Sequence, residues 1–195
     1  MAYDFEEEED EEEDEEDPCK WSLPFVYYIY TKKLVKNNQI FVCIVAVPEI
    51  NKNNVHVVPR EQWGALPPKL PIPNLERIPA PAIRFTHSRT RSCSGMKDCI
   101  ALMKAIQWSD MNEKGLPDIA SNFYVARDGV VYEGRGWDKQ GVPTRPHKEY
   151  SLDFCLLGFE TEMSTEQAEG FNALIRLSEA KKKLVKGLRG SLEFD

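Results

Sequence analysis

Apolar and polar residues follow the spacing of regular secondary structure from residue 56 onward. Period-two alternation and short apolar runs predict strands at residues 82–87, 122–126, 130–133 and 152–159. The Asp128-Gly129 pair lies between the second and third segments and is a strong signal for a hairpin turn, because both residue types tolerate the backbone that such turns require. A sheet is therefore predicted at the centre of this part of the chain.

Two further segments have helical spacing. The first runs from Ser94, a candidate N-cap, to Asn112, and Gly115 follows where a C-terminal cap is expected. The second opens at Ser164, which is predicted to form a capping box with Gln167. Because strands and helices alternate along the chain, we predict an α/β domain with helices packed on a sheet.

The strand predicted at residues 82–87 is expected to place its side chains alternately on two opposite faces. Alternation places Ile83, Phe85 and His87 on one face and Arg84 and Thr86 on the other. His87 is therefore expected to be a packed or hydrogen-bonded histidine, with a role at a ligand site as the alternative.

Charge divides the chain unevenly. The net charge is -7, yet residues 1–17 hold 13 carboxylates and no Lys or Arg, while residues 18–195 hold 25 basic and 19 acidic residues. Such a dense acidic run predicts a solvated, disordered tail. The alternatives are a tail that binds a basic partner and an intramolecular cover for the basic body. We therefore divide the chain into an acidic tail (1–17), a partly apolar extension (18–54) and a folded domain (55–195).

The extension contains two apolar runs, at residues 23–30 and 40–47, separated by a polar stretch with three lysines. Neither run reaches the roughly 20 residues that a membrane-spanning helix needs. We expect local strands or a loosely packed extension here, with a degraded membrane anchor or an uncleaved signal-like segment as alternatives. The strongly acidic start does not have the features of an ordinary secretory signal.

Cys93 and Cys99 lie close together around the start of the first predicted helix. A disulfide between them would tie the preceding loop to that helix. Cys99 also lies on the apolar stripe of the helix, where a buried free thiol is common. Spacing alone leaves the two possibilities open.

Several motifs resemble those of peptidoglycan-recognition proteins and occur in the same order as in that family. They are Arg60-Glu61-Gln62-Trp63-Gly64-Ala65, Thr86-His87-Ser88 followed by Cys93 and Cys99, Ala105-Ile106-Gln107, the stretch from Asp118 to Phe123, the stretch from Asp128 to Trp137, and the strand from Ser151 to Gly158. The resemblance implies a mixed central sheet flanked by helices, as in zinc amidases of the bacteriophage type. It also implies a disulfide between Cys93 and Cys99.

Family enzymes cleave the bond between muramic acid and L-alanine with a zinc ion that keeps an open coordination position. At the position of the family's first histidine ligand this chain has Thr86, and Pro143 stands at the second. Ser121 stands where the family has an assisting tyrosine. The last ligand, a cysteine, has no counterpart before Asp195, so that the domain is expected to be short at its C-terminus. The resemblance therefore implies a degenerate amidase-like domain with no catalytic residue, metal or cofactor.

Other family members bind peptidoglycan without cleaving it, in a groove lined with aromatic and hydrogen-bonding side chains. The resemblance suggests a set of groove candidates here: His87, Asn122, Arg135, Trp137, Thr144, Arg145 and His147. Two of them have structural alternatives, since Trp137 is equally expected in the core and Arg135 could pair with Glu133 or another carboxylate.

The resemblance implies a non-catalytic protein of innate immune sensing or its regulation. Its partners would be peptidoglycan fragments, other peptidoglycan-recognition proteins or signalling partners, and nothing indicates a nucleic acid. A receptor that still binds wall fragments is the alternative, followed by an active amidase. The implied disulfide favours an extracellular or membrane-tethered location, whereas the acidic start allows an intracellular one.

Overall fold

The computed structural model describes residues 31–36 and 39–44 by their backbone, and residues 55–142, 149–159 and 163–187 in full. The predictions for the acidic tail at 1–17 lie outside these residues. The first apolar run of the extension also lies outside them.

A five-stranded mixed sheet lies at the centre of the domain. Its strands stand in the order β3-β6-β5-β7-β4, and all neighbouring pairs are parallel except β5 and β6. The bounds are β3 Val57–Val58, β4 Ala82–His87, β5 Phe123–Val125, β6 Val131–Glu133 and β7 Ser151–Leu156. A separate antiparallel hairpin pairs β1, Thr31–Lys36, with β2, Gln39–Ile44.

Helices cover both faces of the central sheet. Their bounds are α1 Arg60–Trp63, α2 Met96–Asn112 and α3 Thr165–Ala180. One apolar cluster joins the sheet to α1 and α2 and includes Trp63, Met103, Tyr124 and Tyr132. A second cluster joins the opposite face to α3 and includes Phe85, Phe154, Phe171 and Leu174. The α/β fold with a mixed sheet and flanking helices is thus confirmed.

The alternation of β4 is confirmed with the predicted bounds. The hairpin at Asp128-Gly129 is also confirmed, because it connects the antiparallel strands β5 and β6. The strand β5 is one residue shorter than predicted at each end, and β6 begins one residue later than predicted. The strand β7 begins one residue earlier and ends three residues earlier than predicted.

The predicted cap at Ser94 is wrong. The helix α2 begins at Met96, and Gly95, with a φ of 81°, occupies the cap position without a side-chain bond. The carboxylate of Asp128 accepts a hydrogen bond from the Gly95 N–H at 2.6 Å, so that this helix entry is held by a residue from the hairpin.

The cap at Ser164 is confirmed, since its Oγ accepts a hydrogen bond from Gln167 N. The reciprocal half of the capping box does not form. The Gln167 amide instead donates to the carbonyl oxygens of Val125 and Leu157. Gln167 therefore ties α3 to the sheet.

Part of the extension does form strands, namely the hairpin of β1 and β2. Across the described ranges no helix has the length and apolar character needed to cross a membrane.

The helix α3 lies against the β5–β6 turn through two glycines. A methyl group at Gly170 would overlap the carbonyl oxygen of Gly129, and one at Gly129 would overlap the carbonyl oxygen of Glu166. Gly129 also has a φ of 79°, which favours glycine. This close approach fixes the position of α3 on the sheet.

We expect Gly170→Ala to destabilise the protein even though alanine favours helices by about 1 kcal/mol over glycine. The added methyl group must push the helix away from the turn, a form of overpacking that costs about 1–3 kcal/mol. The free energy of unfolding in urea measures this loss. The control is Glu169→Ala, one residue earlier on the exposed side of the helix, and a Gly170→Ala protein as stable as this control would contradict the close packing.

Candidate functional site

The face of the sheet next to α2 carries the position that resembles the family's first zinc ligand. Thr86 on β4 pairs in register with Cys155 on β7, which in turn pairs with Tyr124 on β5. All three side chains are buried. Cys155 is not part of the Cys93–Cys99 disulfide. Side by side on three strands, they form a continuous row across the sheet, which we call the Thr86 row.

His87 points to the opposite face. Its ring stands edge-on to Phe85 at 5.4 Å, and Phe85 belongs to the core beneath α3. Burial, together with the nearby charge of Arg89, lowers the pKa of His87 and favours its neutral form. The prediction from strand alternation is therefore confirmed: His87 packs toward α3 and does not join the Thr86 row.

Ser121 stands just before β5, at the position that resembles the family's assisting tyrosine. It is buried, and its backbone N–H donates to the hydroxyl oxygen of Tyr124 at 3.0 Å. Burial raises the pKa of Tyr124 well above its ordinary value, so that this phenol stays neutral. Tyr124 therefore serves as an internal hydrogen-bond acceptor and connects Ser121 with the Thr86 row.

An ion pair on the same face of the sheet was not found from the sequence. Arg84 on β4 and Asp153 on β7 pair in register, and the Arg84 Nε lies 3.5 Å from an Asp153 carboxylate oxygen. Both side chains are buried. A charged residue in the middle of each apolar strand was the available signal, because buried charges are rare unless they are paired.

Asn122 uses both ends of its side-chain amide within the fold. Its Nδ2 donates to the carbonyl oxygens of Gly136 and Lys139, and its Oδ1 accepts from the backbone N–H of Asp153. The residue is fully buried. It thereby connects the loop after β6 to the start of β7.

Arg135 holds the same loop from within. Its Nε donates to the carbonyl oxygen of Ile119, and its Nη1 donates to those of Gln140 and Gly141. Burial lowers the pKa of Arg135, while nearby acidic groups oppose that shift. These hydrogen bonds all go to backbone carbonyls, and none of the ion pairs found among the described residues joins Arg135 to Glu133.

Asn122 and Arg135 together hold residues 136–141, which we call the 136–141 loop. Asp153 presses against the same loop, since a methyl group at Gly141 would overlap its carboxylate. The loop leads directly into residues 143–148, where Pro143, Thr144, Arg145 and His147 lie outside the described residues. The two buried side chains therefore hold the described part of the chain that precedes these candidates.

Trp137 is half-buried and packs on the core beneath α3, with its ring 4.2 Å from that of Phe123. The alternative that Trp137 packs on the core is therefore confirmed. The role in ligand binding stays a prediction for Trp137, as it does for Asn122 and Arg135.

The predicted disulfide between Cys93 and Cys99 is confirmed. It joins the loop after β4 to the first turn of α2. The Cys93 carbonyl oxygen also accepts a hydrogen bond from the Arg127 N–H, which links this loop to the β5–β6 turn.

No group of three or more His, Cys, Asp or Glu side chains converges in a metal-binding arrangement within the described part of the chain. Thr86 and Cys155 are neighbours on one face, but His87 lies on the other. A catalytic zinc centre needs three protein ligands at short distances. The described residues can offer hydrogen-bonding and apolar surface to a ligand, and they do not bring together such a ligand set.

We expect Asn122→Asp to destabilise the protein by about 3 kcal/mol, because a carboxylate cannot donate to the two buried carbonyls that the amide now satisfies. The acceptor for the Asp153 N–H is retained, so that the loss combines the two missing donors with the cost of a buried carboxylate. Urea unfolding measures the effect. Asn74→Asp is the control, since its exposed Oδ1 accepts from Lys139 Nζ and a carboxylate can do the same. Equal stability of the two variants would contradict the role of Asn122.

Comparisons with known proteins agree with the resemblance seen in the sequence. No family model matches the chain. The chain is 50% identical over 93 residues to peptidoglycan-recognition protein LA of Drosophila melanogaster. The matched region covers 45% of this chain and 25% of that protein. It is 35% identical over 112 residues to the N-acetylmuramoyl-L-alanine amidase of Sus scrofa. That matched region covers 56% of this chain and 19% of the amidase. The chain thus spans a quarter or less of either relative.

A solved structure extends the agreement to a whole domain. The ectodomain of the Drosophila transmembrane receptor PGRP-LCa superposes with a TM-score of 0.62 at 30% identity, over 71% of this chain and 82% of that one. Sequence motifs, fold and this coverage lead to one conclusion: the chain belongs to the peptidoglycan-recognition protein family.

Proposed function

We propose that this chain is a non-catalytic peptidoglycan-recognition protein that acts in innate immune sensing, and more specifically in its regulation. The proposal has two parts. The domain does not cleave peptidoglycan. It acts by binding partner proteins rather than by binding wall fragments tightly.

The observation that carries the first part is the position of Thr86. A neutral hydroxyl is a poor substitute for the imidazole, thiolate and carboxylate ligands that hold zinc in proteins. His87 cannot replace it without turning the strand over, since a one-residue shift exchanges the two faces of the sheet. Among the described residues of this face, Cys155 lies beside Thr86 and Asp153 is already paired with Arg84, which falls short of the three ligands that a catalytic zinc needs.

Several groove candidates make their contacts inside the fold, which supports the proposal that the domain does not bind wall fragments tightly. Asn122 directs its hydrogen bonds to the protein backbone, and Trp137 packs on Phe123. Arg135 is paired with the backbone through Nε and Nη1, and its buried Nη2 has no hydrogen-bond partner among the described residues. A buried polar group already paired inside the fold can meet a ligand only by giving up that pairing, which is costly. The described residues therefore offer few free groups to a sugar-peptide ligand.

A receptor that binds wall fragments directly is the second candidate. Similarity to the ectodomain of a transmembrane receptor favours it. An active amidase is the third, and similarity to the porcine amidase favours that one. All three are separated by one experiment.

We expect no cleavage of soluble muropeptides by the full chain in the presence of zinc, and no saturable heat in calorimetric titration up to about 1 mM ligand, which corresponds to only about 4 kcal/mol of binding energy. Mass spectrometry of the titrated mixture detects cleavage. Circular dichroism confirms that the protein is folded under the same conditions.

The porcine amidase provides the positive control for cleavage of the same fragments. Saturable heat without cleavage would replace the regulatory role by direct sensing. Release of the peptide from muramic acid would overturn the proposal as a whole.

A further inference from the structure

Positive charge is concentrated where α3 ends. Arg176 lies in the last two turns of the helix, and Lys181, Lys182 and Lys186 follow within eleven residues; all four side chains are exposed. Within the ranges that the structure describes, none of the four has an ion-pair partner. We call these four residues the α3 basic end.

The nearby acidic groups have other partners. Asp138 pairs with Lys183, whose Nζ lies 2.6 Å from its carboxylate. The carboxylate of Glu179 accepts a hydrogen bond from the Gly187 N–H. Among the described residues, neither of these two carboxylates forms an ion pair with the four cations of the basic end.

Several cations elsewhere on the domain do have carboxylate partners. Arg60 pairs with Asp118, Arg91 with Asp98 and Lys114 with Asp110. A cation just beyond the end of a helix is favourable, because it interacts with the free carbonyls there. Four unpaired cations exceed what that effect requires, and their mutual repulsion is relieved by an external anion.

We propose that the acidic segment at residues 4–17 of the same chain docks on the α3 basic end. This segment supplies 13 carboxylates without a single cation. The charge is complementary, and the attraction needs no defined conformation of the segment. The proposal goes beyond the proposed function and does not depend on it.

The connecting chain is long enough for this contact. Thirty-seven residues separate residue 17 from residue 55, and 14 of them span the β1–β2 hairpin and its turn. The remaining 23 can extend to at most about 80 Å. A domain of this size has a radius of gyration of about 14 Å, so the segment can reach any point on its surface. Tethering also raises its effective concentration above that of a free competitor.

The docked segment would make the basic end inaccessible to other polyanions. An anionic wall polymer or an acidic protein would have to displace it. The acidic segment is thus an internal competitor that sets the salt dependence and selectivity of this surface.

Zero-length carbodiimide crosslinking of the dilute full chain tests the proposal, because this reagent couples carboxylates to lysines only when they are in contact. We expect monomeric products in which residues 4–17 are joined to Lys181, Lys182 or Lys186, identified by mass spectrometry. Raising the salt to 1 M should reduce their yield by about fivefold or more, because the screening length falls to about 3 Å.

Two charge-reversal variants provide a matched comparison. Lys181→Glu with Lys186→Glu should reduce tail crosslinks at the remaining Lys182 to the background level. Lys97→Glu with Lys104→Glu alters two exposed lysines of α2, on the other side of the sheet, and should leave the α3 crosslinks unchanged. Circular dichroism verifies that both variants are folded.

Three results would overturn the proposal. Tail crosslinks spread equally over Lys97, Lys104 and the basic end would show non-specific attraction. Crosslinks found only in dimers would show that the segment serves a second copy. The third result combines two measurements: no tail crosslinks, and equal binding of a polyglycerol phosphate probe to the wild type and to a variant with all 13 carboxylates changed to amides. It would mean that the acidic segment does not cover the basic end, which is then open to external polyanions.

Discussion

Neighbouring side chains on a strand point to opposite faces, and both faces of β4 are enclosed by the fold. Phe85 and His87 belong to the side packed beneath α3, while Arg84 and Thr86 belong to the side shared with α2. The six residue pairs between β4 and β7 lock this assignment, because a shift by one residue would move aromatic rings out of the core and a charge into it. The identity of Thr86 therefore decides what chemistry this face can support.

The polar residues near the Thr86 row are used to hold the fold together. Asn122 and Arg135 satisfy carbonyl groups of the 136–141 loop, which has no regular structure of its own to pair them. Buried carbonyls without partners are costly, so these side chains cannot be released to a ligand without a loss of stability. Arg84 and Asp153 likewise belong to a buried pair. Asn122 and Arg135, two of the candidate groove residues, thus serve the interior of the fold.

Local sequence patterns predicted much of the fold, and long-range partners explain what they missed. The alternation at residues 82–87 gave the bounds of β4, and the Asp128-Gly129 pair gave the hairpin, because both signals are complete within a few residues. The prediction of a cap at Ser94 was wrong because the bond to the N–H of Gly95 comes from Asp128, 33 residues beyond Gly95. The partners of Arg135 were missed for the same reason, as they are backbone atoms that only the folded chain brings together. The family resemblance contributed the disulfide, which spacing left open.

We propose that the face bearing Thr86 does not form a zinc centre. Competition with a chromogenic zinc chelator, using the full chain at neutral pH, measures this. We expect no stoichiometric zinc binding at micromolar concentrations, and the same result for His87→Ala. One tightly bound equivalent of zinc that is lost on changing His87 or Cys155 to alanine would mean that these side chains converge on a metal and would overturn the proposal.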